Sequence, residues 1–176
     1  MPIASADIKY RLSVVAAAGD TTAGTPATSL GDQVSTTEIT PAAIGNLFDD
    51  VAGSEASGGD VEFRCIFVLN NHATLTLQNA TIAVLSQTAG GASIDIALDN
   101  IAVSAKGAAS AQAATIPDEG TPPGASAGTF GAGPLSIGNL APGQVKGIWV
   151  RRTVPAATSA LDPDGVVLRV TGDTLP

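Results

Sequence analysis

The chain has few of the residues from which catalytic and metal sites are usually built. Its 176 residues include one cysteine, Cys65, and one histidine, His72. A single cysteine permits no disulfide within the chain and no cysteine-built metal site. His72 follows Asn70-Asn71, a context typical of a turn rather than of a general base. The sequence therefore predicts a protein that is not an enzyme and needs no cofactor.

Positive charge is also scarce. Eight Lys and Arg residues stand against sixteen Asp and Glu residues, which gives a formal net charge of −8 at pH 7. Binding a nucleic acid draws on clustered basic residues, so we expect no nucleic-acid partner. No run reaches the roughly 18 apolar residues of a membrane span, and residues 1–10 lack the basic and apolar regions of a secretory signal. We expect cytosolic synthesis and no membrane partner.

Aromatic residues make up 3% of the chain and charged residues 14%, whereas hydrophobic residues reach 44%. This composition can bury a core of Ala, Val, Ile and Leu side chains and differs from that of a disordered chain. Twenty Gly and eleven Pro residues are spread along the sequence, which favours short strands joined by turns. The length suits one domain spanning residues 1–176.

Alternating apolar residues predict most of the strands. The clearest are residues 8–14, 61–70 and 166–170, and the second of these carries apolar residues on both faces in its far half. Further patterns predict strands at residues 33–39, 74–77, 82–85, 94–98, 135–137 and 145–154, and a weak pattern predicts one more strand between 103 and 116. Together they predict an all-β fold, a single antiparallel β-sandwich of the immunoglobulin-like or jelly-roll-like kind. An N-terminal arm at residues 1–7 and long loops at 19–31 and 117–133 complete it.

Local signals predict one helical turn and two tight turns. Thr40 is a good N-cap, Pro41 suits the first helical position, and the apolar residues at 44, 47 and 48 share a helical face. Pro142-Gly143 matches the central positions of a type II turn. The sequence Asp162-Pro163-Asp164-Gly165 predicts a further turn.

Several segments resemble proteins of tailed-phage virions. FVLNNHATLTLQNATIAV (residues 67–84), followed later by NLAPGQ and IWV, resembles the pattern of immunoglobulin-like sandwich domains in bacterial surface and phage virion proteins. ADIKYRLS, EFRCIFVLNNHATLTLQNA and GIWVRRTVPA extend the likeness to small phage virion proteins across most of the chain.

The resemblance implies a decoration, or cement, protein that is made in the host cytoplasm and binds the outside of a phage capsid. Its partner would then be the major capsid protein, and proteins of this kind often form trimers. The alternative is an adhesion module on a head fibre, tail or collar that binds host carbohydrate. Sugar-binding platforms usually need several exposed aromatic residues, and only six aromatic residues are present.

Four residues are candidates for contact with a partner. Arg151 and Arg152 are neighbours in a strand and point to opposite faces, so at most one of them can line the interior. The pair is the best local candidate for gripping a carboxylate on a neighbouring subunit, and a solvated sheet edge is the alternative. Phe130 is the apolar anchor of the second long loop, and Ile3 belongs to the arm. Trp149 and Cys65, in contrast, lie in apolar runs that predict burial.

Carboxylates from several loops could share a calcium ion. They are Asp49, Asp50, Asp60, Glu62, Asp162 and Asp164. Their spacing is not that of a dedicated calcium loop, and turn chemistry accounts for the last two. The sequence therefore predicts no bound metal.

Overall fold

The computed structural model describes residues 2–159, 161 and 164–174. The strands are β1 (Ile8–Val14), β2 (Gly31–Glu38), β3 (Asp60–Asn70), β4 (Leu77–Gln87), β5 (Ser93–Leu98), β6 (Ser104–Ala105), β7 (Ala113–Thr115), β8 (Leu135–Leu140), β9 (Gln144–Val154) and β10 (Val166–Asp173). A six-residue helix, α1 (Gly53–Gly58), precedes β3. Among the described residues, no helix has both the length and the apolar character needed to span a bilayer.

The strands form two antiparallel sheets. Sheet A has seven strands, in the order β5-β9-β3-β1-β2-β7 with β6 also beside β9, and sheet B has three strands in the order β10-β4-β8. Every strand pairing within the described residues is antiparallel. The all-β, sandwich-like fold predicted from the alternating residues is confirmed.

The main core lies between the two sheets. Sheet A contributes residues such as Leu12, Ile66 and Ile148, and sheet B contributes Ile82 and Leu140, all of them at most 2% exposed. Fully burying one such side chain stabilises the fold by about 1.5–3 kcal/mol relative to leaving it in water. The alternation read from the sequence therefore corresponds to the face that each strand turns toward the other sheet.

Sheet A is covered on its second face as well, but by loops rather than by a third sheet. Phe67 and Trp149 are 0% exposed and belong to a second apolar cluster on this face. Leu30, from the first long loop, and Phe130, from the second, pack against the cluster. This coverage explains why the sequence of β3 is apolar on both faces.

β3 and β9 form the centre of sheet A. They pair without a register shift from Asp60↔Val154 to Leu69↔Val145, with Cys65 opposite Trp149. Backbone amides in the first half of β3 donate to backbone carbonyl groups of the long loops. Phe63 N–H donates to the Glu119 carbonyl (2.8 Å), and Cys65 N–H donates to the Ser29 carbonyl (2.7 Å). The loops at 19–31 and 117–133 thus complete the hydrogen bonding of the central strand.

The helical turn predicted at residues 40–48 is wrong. This segment forms turns, and Ala42 (φ 59°) and Gly45 (φ 65°) adopt left-handed backbone conformations that end any helix. Leu47 is 8% exposed and joins the main core, so tertiary packing overrides the local N-cap signal. The short helix α1 forms instead in the Gly- and Ser-rich connection that follows.

Other local predictions have mixed outcomes. The strand predicted at 74–77 is wrong except for Leu77, where β4 begins. The break expected near Asn79 is an irregularity within β4, and Asn79 has φ 50° there. Two short strands, β6 and β7, replace the one expected between 103 and 116. The Pro142-Gly143 turn is confirmed, because Gly143 has φ 74° and Gln144 N–H donates to Ala141 at 3.0 Å. The turn predicted at 162–165 lies partly outside the described residues.

Candidate functional site

A buried ion pair lies at the end of the main core. Glu62 of β3 and Arg152 of β9 are directly opposite each other, and they are only 3% and 6% exposed. Arg152 donates to the Glu62 carboxylate through Nε and Nη2, and Nη1 donates to the Asp49 carbonyl at 2.5 Å. The Arg152 guanidinium also lies 4.9 Å from the centre of the Phe48 ring. Burial raises the pKa of Glu62, and the positive charge of Arg152 opposes that rise.

A second arginine contacts the same aromatic ring. The Arg64 side chain is 3% exposed and pairs with the Glu119 carboxylate, and its guanidinium lies 5.7 Å from the Phe48 ring centre. This cluster was not predicted from the sequence, although Glu62 and Arg64 are the charged residues within the strongest apolar strand. Charges in such a strand indicate buried pairing.

Arg151 lies on the opposite face of sheet A from Arg152. Its guanidinium donates to Asp95 at 2.5 Å and lies 5.0 Å from the centre of the Phe130 ring. Phe130 in turn makes an edge-to-face contact with Phe63, at 5.6 Å between ring centres. The structure thus brings Arg151 and Phe130 together and keeps Arg152 apart. The partner contacts proposed for these three residues stay predictions.

Ile3, the fourth candidate, lies at a groove of about 290 Å³ that is also lined by Ile8, Leu77 and Val170. It is half-buried and packs against the main core. The Asp7 carboxylate accepts the Ala4 N–H at 2.8 Å. This bond fixes a short 3-10 turn just before β1, and the role of Ile3 in binding a partner stays a prediction.

The titratable side chains that could carry chemistry have structural contacts. Burial raises the pKa of the Cys65 thiol well above its usual value, so it stays protonated. His72 Nδ1 accepts backbone N–H groups from Thr74 (3.1 Å) and Leu75 (3.0 Å), which holds the loop before β4. Burial lowers the pKa of Lys146, and the negative charge of Asp99 acts in the opposite direction.

A buried carboxylate organises the second face of sheet A. Asp99, 1% exposed, accepts the Trp149 indole N–H (2.8 Å) and the backbone N–H groups of Ile101 (2.8 Å) and Ala114 (2.9 Å). These bonds join Trp149 of β9 to the segment that follows β5 and to β7. Lys146 donates to the Ile101 carbonyl at 2.7 Å, so the same segment is tied down from two directions.

Three carboxylates approach one another near the start of β3. Glu55, Asp60 and Glu62 offer oxygens that all lie within 4.8 Å of each other. Two of them have partners already, because Glu62 pairs with Arg152 and Glu55 accepts the Ala52 N–H at 2.8 Å. These oxygens are the type that calcium prefers, and Arg152 supplies positive charge to the group.

Within the described part of the chain, two exposed surfaces carry large apolar side chains. An open cleft of about 470 Å³ is lined by Pro26, Ile44, Asp49 and Asp50, with Arg64 among its other residues. The outer face of sheet B carries exposed Leu85 (51%) and Val167 (50%). Both surfaces combine apolar and charged groups, which is the composition of contact surfaces between proteins.

No protein-family model, curated protein or solved structure matches this chain. The protein is therefore classified by its fold alone. It is an antiparallel sandwich whose larger sheet is covered on both faces. Within that architecture the buried Glu62 and Arg152 pair with each other, and the buried Arg64 pairs with Glu119.

Proposed function

We propose that this chain is a structural virion protein that binds the outer surface of a phage capsid and stabilises the shell. In this proposal its partner is the major capsid protein, and it acts as a decoration protein without catalysing a reaction. Binding to the assembled shell and not to free subunits shifts the equilibrium toward the assembled state.

The observation that carries the proposal is the distribution of apolar surface. Sheet A is covered by sheet B on one face and by the chain's own loops on the other. Large apolar side chains nevertheless remain exposed on the outside, including Ile44 at 84%, Leu85 at 51% and Val167 at 50%. Leu85 and Val167 are neighbours on the outer face of sheet B, and adjacent exposed apolar groups of this kind are suited to contact with another protein surface. Such a surface suits a static contact on a shell.

The net charge of −8 supports a position outside the shell, away from packaged DNA. The resemblance to small phage virion proteins supports the same setting. Association with further copies of the chain, as the trimers of decoration proteins imply, belongs to the proposal as well.

The aromatic residues weigh against the carbohydrate-binding alternative. Trp149 and Phe67 are 0% exposed, and Phe63 is 6% exposed. Phe48 and Phe130 lie against arginine side chains. A sugar platform needs aromatic faces that are open to solvent.

The test uses purified particles from which the chain has been removed. We expect stripped shells to lose resistance to heat and osmotic shock, and we expect the purified chain to restore it when added back. Restoration is the control, because it separates loss of the chain from damage by the stripping step. Stripped shells that keep full resistance contradict the proposal, and a simultaneous loss of host attachment would favour the adhesion module.

A further inference from the structure

The outer face of sheet B carries an arginine that is unlike the chain's other basic residues. Arg169 of β10 is exposed, whereas the remaining seven Lys and Arg residues are buried or half-buried. Five of those seven form ion pairs with carboxylates. Across the described residues Arg169 makes no ion pair, although the chain has twice as many acidic as basic residues.

Apolar side chains lie beside this charge. Val167 belongs to the same strand, and Leu85 lies on the neighbouring strand β4 at the irregularity opposite Val167. Both are about half exposed. The remaining outward residues near Arg169 are small, for example Ala83 directly opposite it, and Thr81 opposite Thr171. The charged groups of this surface are thus Arg169 and, near the end of β10, Asp173, which accepts a hydrogen bond from Asn79. The rest of the surface is apolar or small, a composition that suits close packing against another protein.

The cleft beside residues 44–50 has the complementary character. Ile44 is 84% exposed and lines the cleft together with Pro26. Asp49 and Asp50 also line it. The Asp49 side chain is 72% exposed even though it contacts Arg152, and Asp50 is exposed. Arg64 also lines the cleft, but its side chain is buried and paired with Glu119. The cleft thus offers an apolar wall with the exposed negative charge of Asp49 and Asp50 beside it.

We propose that the outer face of sheet B docks into the Ile44–Asp50 cleft of a second copy of this chain. Arg169 then meets the carboxylates of Asp49 and Asp50, while Leu85 and Val167 cover Ile44. The two surfaces differ, so the contact is head-to-tail, and repetition closes a ring or extends a chain. The inference names a contact for the association between copies that belongs to the proposed function. Its failure leaves shell binding standing, because the experiment with stripped particles measures shell binding separately.

Charge complementarity selects a second copy as the occupant. Opposite charges on the two surfaces steer the copies together and fix their relative orientation. An acidic chain needs such a contact to overcome its own net repulsion. Association should therefore weaken as salt increases.

Sedimentation velocity over a concentration series tests the contact in the purified full chain. We expect the wild type to associate and Arg169→Gln to weaken that association by about tenfold, the effect of losing roughly 1.4 kcal/mol. Lys106→Gln is the matched control, because it removes the same charge from a half-buried residue outside both surfaces. It should associate like the wild type. Circular dichroism and thermal melting check that both variants are folded.

A charge swap gives the decisive comparison. Arg169→Asp and Asp50→Arg should each weaken association when introduced alone, and the double variant should recover most of it. A wild type that stays monomeric at every concentration overturns the proposal. So does association that Arg169→Gln leaves unchanged, which would place the contact on another face, and so does a double variant no better than the single ones.

Discussion

Replacing Arg152 by Met removes the positive charge from the buried ion pair while keeping an unbranched side chain over Phe48. Glu62, 3% exposed, would then be a buried carboxylate without its counter-charge. Removing one partner of a buried ion pair typically costs about 3–5 kcal/mol. Glu62→Gln should cost less, about 1–3 kcal/mol, because Arg152 keeps the Asp49 carbonyl and carboxylate as acceptors. The double variant Glu62→Gln/Arg152→Met should be more stable than Arg152→Met alone.

The pH dependence of the Arg152→Met variant gives a sharper test. Burial and the nearby charges of Asp49 and Glu119 raise the pKa of Glu62 above its ordinary value of 4.5, and Arg152 opposes them. Without Arg152 the folded-state pKa rises further above the unfolded value. A carboxyl group with a raised folded-state pKa favours folding below its unfolded pKa, and that advantage is lost as pH rises through the folded pKa. The deficit of the variant should therefore be small near pH 4 and large near pH 7.

Urea denaturation of the wild type, both single variants and the double variant, at about pH 4 and about pH 7, measures these differences. Equal deficits of Arg152→Met at both pH values would refute the reasoning, since they would mean that Glu62 is solvated or paired elsewhere. A cost of Glu62→Gln equal to that of Arg152→Met would also contradict it, because it would assign no value to the contacts with Asp49.

Three further perturbations test other buried contacts of sheet A. Asp99→Ala leaves the Trp149 indole and the Ala114 amide without their acceptor. Urea denaturation should show that the free energy of unfolding falls by at least about 2–3 kcal/mol. A fall of less than about 1 kcal/mol would mean that water replaces the carboxylate. Gly31→Ala should destabilise the fold by more than about 1 kcal/mol, because Gly31 has φ 102° and a Cβ there would lie 1.8 Å from the Ala114 carbonyl oxygen; Gly53→Ala, where a Cβ meets nothing, is the control. Burial lowers the pKa of Lys146 below its ordinary value of 10.5. The free energy of unfolding should therefore increase as pH rises from the lowered folded-state pKa to 10.5, the value in the unfolded chain. Lys146→Met should lose this alkaline gain, and an identical pH profile would contradict the assignment.

The core could be predicted from the sequence because it depends on short-range alternation. Apolar residues two positions apart predicted β1, β3 and β10, and the doubly apolar half of β3 predicted its burial on both faces. Trp149 and Cys65 are buried as expected. In each case the signal lies within one strand, so no knowledge of the partner strand was needed.

The candidate site could not be predicted in the same way because its contacts join distant parts of the chain. Arg152 pairs with Glu62, 90 residues away, and Arg151 pairs with Asp95, 56 residues away. The adjacent arginines give no local sign of these partners. The incorrect helix at 40–48 has a related cause, since the local N-cap pattern is outweighed by packing of Leu47 into the core.

The copy number of this chain per particle tests the shell-binding proposal most directly. Quantitative mass spectrometry of purified virions measures it against the major capsid protein. The account predicts copies in fixed proportion to the capsid subunits, as expected for a protein bound across the whole shell. A copy number matching that of a tail, collar or fibre component would contradict it.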